Sequence, residues 1–152
     1  MSTTLEQPSH APMIRLISQT LTAFSEDLYR RLAAAGFGDI RPGHGCVFGH
    51  IDPEGSRLTD MADRAGMTKQ SVGEVATDLE RRGYLERFPD PTDGRVKIIR
   101  LTDHGREAQR VGRQLIDEIE REWAERYGEA EIATLRGTLE TIAARQLSPV
   151  AT

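Results

Sequence analysis

Residues 58–83 constrain this chain more than any other stretch. Leu58-Thr59-Asp60-Met61-Ala62-Asp63-Arg64-Ala65-Gly66 places Thr59 as an N-cap and Gly66 as a helix stop, and predicts a helix of two turns. Thr68 then offers a second N-cap, and Val72, Val75, Ala76 and Leu79 mark the buried side of a helix that Gly83 ends. Two short capped helices joined by a tight Gly66-Met67 turn make a helix-turn-helix. The residues that follow change character. Tyr84–Phe88 and Arg95–Leu101 are rich in β-branched and aromatic residues, and Pro89-Asp90-Pro91-Thr92-Asp93-Gly94 between them is turn chemistry. The expectation is a β-hairpin, a wing.

The flanks read as longer helices. Ile14, Ile17, Leu21, Phe24 and Leu28 form one stripe of a helix of about 20 residues ending near Gly36. A Gly-rich loop, 36–45, leads through Pro42 into a short helix carrying Cys46, Val47, Phe48 and Ile51, which Pro53 and Gly55 close. Thr102 caps a long helix whose apolar positions are Ala108, Val111, Leu115, Ile119, Trp123 and Tyr127. Gly128 breaks it, and Ile132, Leu135, Leu139 and Ile142 stripe a last helix before Pro149. The fold class is therefore mainly α with a small β-hairpin wing. Residues 1–12 read as a disordered tail and 13–148 as a single domain. Within it, 41–102 form the winged-helix lobe, and 13–36 with 110–147 form dimerisation helices.

Charge locates the working surface. The whole chain carries −4 at pH 7, the wrong sign for a nucleic-acid binder, but the balance is −2 over 1–56, +2 over 57–113 and −4 over 114–152. Only the middle segment suits phosphate. On the helix after Thr68 the apolar side leaves Gln70, Gly73, Glu74, Thr77 and Arg81 pointing outward, with groups able to read base edges in a major groove. Gly73 costs about 1 kcal/mol relative to Ala inside a helix, so a close approach to DNA is one reason for it and a tolerated glycine on a solvated face the other. Arg95 beside Asp93, Lys97 two residues along and Arg87 on the partner strand arm the hairpin for a minor groove.

From Leu58-Thr59-Asp60-Met61-Ala62 through Met67-Thr68-Lys69-Gln70-Ser71-Val72 and Leu79–Arg87 to Asp90-Pro91-Thr92-Asp93-Gly94-Arg95 and Leu101–Gly105, the chain resembles the MarR (multiple antibiotic resistance regulator) family. The resemblance implies a sequence-specific regulator that binds double-stranded DNA as a homodimer. It implies a recognition helix starting at Thr68, with Lys69, Gln70, Ser71, Gly73, Glu74 and Thr77 as contacts. It further implies a wing whose Asp93 steadies an Arg95 that enters the minor groove. Glu74 departs from the pattern, since a basic or neutral residue sits more comfortably near phosphate. The resemblance also implies a repressor released by a small, often phenolic or acidic, effector. His44, Cys46, Phe48 and His50 lie in the region corresponding to that effector's pocket.

The apolar stripes of the terminal helices exceed what one winged helix needs for its own core. A homodimer would bury them and space two recognition helices about 34–36 Å apart on a near-palindromic operator, whereas packing on each other within one chain is the alternative. Cys46 reads either as a small core residue or as a redox-sensing thiol. His44 and His50 share no helix face, so neither a metal nor a cofactor is expected. No GxSxG, HExxH, Walker A or Rossmann pattern is present, so no enzyme is expected. One cysteine, no signal-like N-terminus and no long apolar run give a cytoplasmic expectation. The rival function is a winged helix that binds another protein instead of DNA.

Overall fold

The computed structural model describes residues 10–147, with side chains to 145, so most of the tail expected at 1–12 and the end around Pro149 lie outside the described residues. The chain runs α1 (Met13–Ala34), a 3₁₀ turn (Pro42–His44), α2 (Gly45–Phe48), β1 (Ser56–Arg57), α3 (Leu58–Ala65) and α4 (Lys69–Arg81). There follow β2 (Leu85–Pro89), β3 (Lys97–Leu101), α5 (Asp103–Tyr127) and α6 (Glu129–Leu147). The class is the expected one, mainly helical with a small antiparallel wing. Among the described residues no helix is long and apolar enough to cross a membrane.

The described residues divide into two compact units on either side of a boundary between Gly112 and Arg113, inside α5. In the first, Val72, Ala76 and Leu79 of α4 are buried, as are Met61 and Ala62 of α3, Val47 of α2, and Leu85, Ile99 and Leu101 of the sheet. Val75, expected among them, is half-buried. The sheet has the order β1-β3-β2, and both pairings are antiparallel. Its register sets Leu85 opposite Leu101 and Arg87 opposite Ile99, and Pro89 lies at the free end of the edge strand β2, where its missing N–H costs nothing.

Four local expectations are corrected. The third strand, β1, is too short to leave a periodic signal: Ser56 and Arg57 are recruited by pairing with Ile99 and Ile98. That strand delivers the chain directly into α3, so Arg57, not Thr59, holds the N-cap position, with no side-chain cap. The short helix expected through Ile51 stops at Phe48, where Gly49 follows. Strand β3 starts at Lys97 and leaves Arg95 in the turn, because Asp90 N–H and Val96 C=O close the ladder at 2.9 Å.

The start of α5 is locked to the wing's root. Thr102 Oγ1 accepts from Gly105 N–H at 3.1 Å and donates to Gly83 C=O at 2.6 Å, so one hydroxyl caps the helix and ties it to the end of α4. Tyr84 is fully buried, stacks on His104 at 4.4 Å and donates to Asp39 Oδ1 at 2.5 Å. Gly105 lets the helix approach so closely that a methyl group there would overlap the Tyr84 carbonyl oxygen.

In the second unit, Gly128 turns the chain between α5 and α6 at φ 108°, a left-handed value that suits glycine. Arg136 pairs with Glu120 across that turn, and Trp123 meets Tyr127 edge-to-face at 6.0 Å. Leu135, Leu139 and Ile142 of α6 stand about half exposed.

Gly105→Ala is expected to lower unfolding stability by about 1–3 kcal/mol through overpacking. Gly112→Ala in the same helix, where nothing lies within 4 Å of the added methyl, is expected to gain up to about 1 kcal/mol. Urea melts followed by circular dichroism separate the two, and equal midpoints would contradict the close approach.

Candidate nucleic-acid interface

The recognition surface is built from a turn and a cap. Gly66 takes φ 63°, which lets Met67 N–H reach back to Ala62 C=O at 3.0 Å and reverses the chain within two residues. Thr68 then caps α4: its Oγ1 accepts from Ser71 N–H at 3.1 Å and donates to Ser71 Oγ at 2.8 Å. With Val72, Ala76 and Leu79 buried, Lys69, Gln70, Glu74, Thr77 and Arg81 are left exposed along the opposite side. Ser71 and Gly73 are half-buried.

Gly73 has a packing reason. A methyl group at this position would stand 3.3 Å from Leu58 Cδ2, so α3 closes on α4 at the glycine. Close approach of DNA is not needed to account for it.

Several outward groups already have partners. Gln70 Nε2 donates to Glu74 Oε1 at 3.3 Å, and Thr77 Oγ1 donates to Gly73 C=O at 2.8 Å. Arg87, from β2, donates to Thr77 Oγ1 at 2.9 Å and pairs with Glu80 at 2.9 Å. It fastens the wing's edge strand to α4. Arg81 pairs with Asp78 at 2.6 Å.

Asp78 is a junction. It also accepts from Arg82 at 2.8 Å and meets His44 Nε2 at 2.9 Å. Arg82 first and His44 second hold its carboxyl far below the ordinary range. Because His44 Nδ1 accepts from Arg41 N–H at 3.0 Å, Nε2 carries the ring proton and donates to Asp78.

The wing is organised by Asp90, which is buried. Its carboxylate accepts from Thr92 N–H at 2.8 Å and Thr92 Oγ1 at 2.7 Å, and from Arg57 Nε and Nη2 at 2.9 and 2.6 Å. These bonds, Thr92's first, draw its pKa down to about 2. Asp93 Oδ1 accepts from Arg95 N–H at 3.1 Å, so it steadies Arg95 through the backbone. The guanidinium of Arg95 and the ammonium of Lys97, both exposed, have no ion pair among the described residues.

The four residues singled out for an effector are placed as follows. His44 is buried and committed to Asp78 and Arg41. Phe48 sets its edge against Tyr84 with ring centroids 5.9 Å apart. The carbonyl of half-buried His50 accepts from Arg64 at 2.9 Å. Cys46 is half-buried, donates to Gly43 C=O at 3.2 Å, and burial pushes its thiol up, the opposite of what a reactive thiolate requires. Two residues escaped the sequence reading as site groups: Arg57, which holds the wing through Asp90, and Leu58, which packs against Gly73 of α4. Arg57 is 33 positions from Asp90, and no local pattern couples them.

Comparison with known proteins accords with this geometry. Residues 39–96 match the family model of the MarR family. No curated protein matches the sequence. Among solved structures, the transcriptional repressor CouR bound to a 23-mer DNA duplex superposes with a TM-score of 0.75 at 23% identity, over 94% of this chain and 99% of that one. The Staphylococcus aureus MepR–DNA complex gives 0.74 at 21%, over 90% and 99%. The PcaV regulator of Streptomyces coelicolor in complex with its natural ligand gives 0.71 at 21%, over 94% and 98%. At these identities the likeness is one of fold.

A carboxyl whose folded pKa lies below its ordinary 3.8 adds stability above that value and loses it as pH falls toward about 2. Amide exchange at Thr92 and Val96 is therefore expected to accelerate between pH 4 and 2 beyond the intrinsic trend. Asp90→Asn should open the same amides at neutral pH and abolish that acid step. An unchanged exchange profile in the variant would remove Asp90 from this role.

Proposed function

We propose that this chain, a MarR-family winged-helix DNA-binding transcriptional regulator, acts as a homodimeric repressor on a near-palindromic operator and is released by a small molecule. The observation that carries the reading is the exposed polar side of α4 beside a wing whose Arg95 and Lys97 have no ion pair among the described residues. Gln70 and Glu74 are the candidates for base edges: an amide can pair with adenine and a carboxylate can accept from cytosine. Thr68, Lys69, Ser71 and Arg81 are placed for the backbone, Thr77 for a base methyl, and Asp93 to present Arg95 to the minor groove. Gly73 and Arg87 serve this face chiefly by packing and by anchoring the wing. That CouR and MepR are seen on DNA supports the mode.

Dimerisation is supported in each unit separately. Helix α1 leaves Met13, Ile14 and Leu21 at 73%, 75% and 65% exposure, and α6 leaves Leu135, Leu139 and Ile142 uncovered. Apolar rows of this extent on terminal helices call for burial by a second copy. For release, PcaV with its natural ligand supports a small-molecule effector. Within the segment of His44, Cys46, Phe48 and His50, His44 has the most direct line to DNA reading, because it bonds Asp78 on α4. An effector need only favour one spacing of the two recognition helices over another. The cytoplasm is the proposed site of action.

Selection from a random duplex pool followed by salt titration tests the reading. The expected result is a two-fold-related consensus, a steep fall of log K with log salt, and a particle of twice the 16.9 kDa chain. Gln70→Ala is expected to lose about 1–3 kcal/mol of discrimination at one position per half-site. A flat salt response would turn the reading toward a protein partner.

A further inference from the structure

Asp93 is followed by glycine, as no other aspartate in the sequence is, and the chain contains no asparagine. The backbone nitrogen of the residue after an aspartate can attack the side-chain carboxyl and close a five-membered imide. Glycine hinders that attack least, because no side chain crowds its nitrogen. The sequence therefore concentrates this chemistry at one peptide bond, in the loop of the wing.

The fold leaves that bond open. Asp93 and Gly94 are both exposed, in the kind of loop tip where covalent change concentrates. Asp93 Oδ1 accepts from Arg95 N–H at 3.1 Å, a bond that carries the carboxyl forward along the chain, past the Gly94 nitrogen. The Gly94 N–H itself makes no hydrogen bond among the described residues. A methyl group on Gly94 would meet nothing within 4 Å, and its φ is not positive, so neither packing nor conformation calls for glycine there. Asp90, in the same loop, is the contrast: it is buried, bonded to Thr92 and Arg57, and followed by Pro91, whose nitrogen has no proton to lose.

We infer that Asp93 is where this chain rearranges to isoaspartate, and that the product is a substrate for carboxyl methyltransferases that recognise isoaspartate. In the first step the Gly94 nitrogen bonds to Asp93 Cγ, and its proton leaves with the carboxyl hydroxyl as water. In the second, water opens the imide at the former Asp93 backbone carbonyl, which becomes a free carboxylate while Cγ stays bonded to Gly94. The main chain gains one methylene, and the charge is unchanged. Methylation then moves a methyl group from a sulfonium donor to that carboxylate, leaving a thioether.

The product loses the bonds that shape the turn. The Asp93 carbonyl that accepts from Val96 N–H at 3.0 Å is no longer in the main chain, and the Cγ carboxyl that accepts from Arg95 N–H has become part of it. Arg95 is thereby released from its present position. Conversion is expected to weaken duplex binding, a consequence that rests on the DNA-binding reading, whereas the rearrangement does not.

The test incubates the full chain at neutral pH and physiological temperature, then cleaves it with trypsin, which releases residues 88–95 as one peptide. The expected result is a second form of this peptide, of identical mass, that accumulates with time and accepts methyl from an isoaspartyl methyltransferase. Asp93→Glu, whose imide would need a larger ring, is expected to show none, and Gly94→Ala several-fold less, with unchanged thermal midpoints as the folding control. No second form, under conditions that convert the isolated 88–95 peptide, overturns the site. Methylation confined to another peptide also overturns it. Converted chain is expected to bind duplex several-fold more weakly than unconverted chain, and equal binding overturns the consequence for the wing. A fresh parent that binds no duplex overturns the DNA reading, and the peptide assay still decides the site.

Discussion

The buried ridge of α4 is the constraint from which the rest of the winged-helix lobe follows. Val72, Ala76 and Leu79 are completely buried, and a helix with one side so committed has no freedom to rotate about its axis. Everything on the other side is thereby aimed. Full burial of side chains of this size contributes on the order of 1.5–3 kcal/mol each for the larger ones, far more than any exposed hydrogen bond on the reading side. Gly73 belongs to the same economy of space. A methyl group there would stand 3.3 Å from Leu58 Cδ2, a tight contact where α3 meets α4.

Two carboxylates then convert a packed core into a placed surface. Asp78 gathers Arg81, Arg82 and His44, linking α4 to the 3₁₀ turn before α2. Asp90 gathers Arg57 and Thr92, linking β1 to the wing's loop. Each has its pKa drawn down by its donors, which means that the ionised form is the one the fold stabilises. Cations whose partners are inside the scaffold hold still, whereas Arg95 and Lys97, without an ion pair among the described residues, keep their charge available to an anion. The division of labour between paired and unpaired arginines cannot be recognised from composition, because both kinds add the same charge.

This difference explains how much was legible. Caps and stops are local, so Thr68 and Gly66 announced the helix-turn-helix correctly, and the burial period announced Val72, Ala76 and Leu79. Pairings across distance left no trace. Strand β1 exists because Ile98 and Ile99 recruit Ser56 and Arg57, and that recruitment is also why α3 lacks the Thr59 cap that its sequence offers. Arg87 was legible as a cation on the wing but not as the strut between Glu80 and Thr77. Gly73 was legible as an anomaly, and its cause lay 15 positions away in Leu58. Asp93 lay beside Arg95 as expected, yet it acts on the backbone amide, a distinction of geometry that spacing alone does not carry.

Net charge is a poor guide to such a protein for a related reason. The chain is acidic overall, and its acid is concentrated after residue 113 while 57–113 is net basic. At physiological ionic strength the Debye length is about 8 Å, so phosphate responds chiefly to the charges within about that distance. Counterion release likewise scales with the number of phosphates neutralised, not with the total charge of the protein. An acidic chain can therefore bind DNA with a steep salt dependence, provided its cations are grouped and unpaired at one surface. In the wing and at the start of α4 three side chains, Lys69, Arg95 and Lys97, meet that condition among the described residues, while Asp90 and Glu80 are spent on Arg57 and Arg87 beside them.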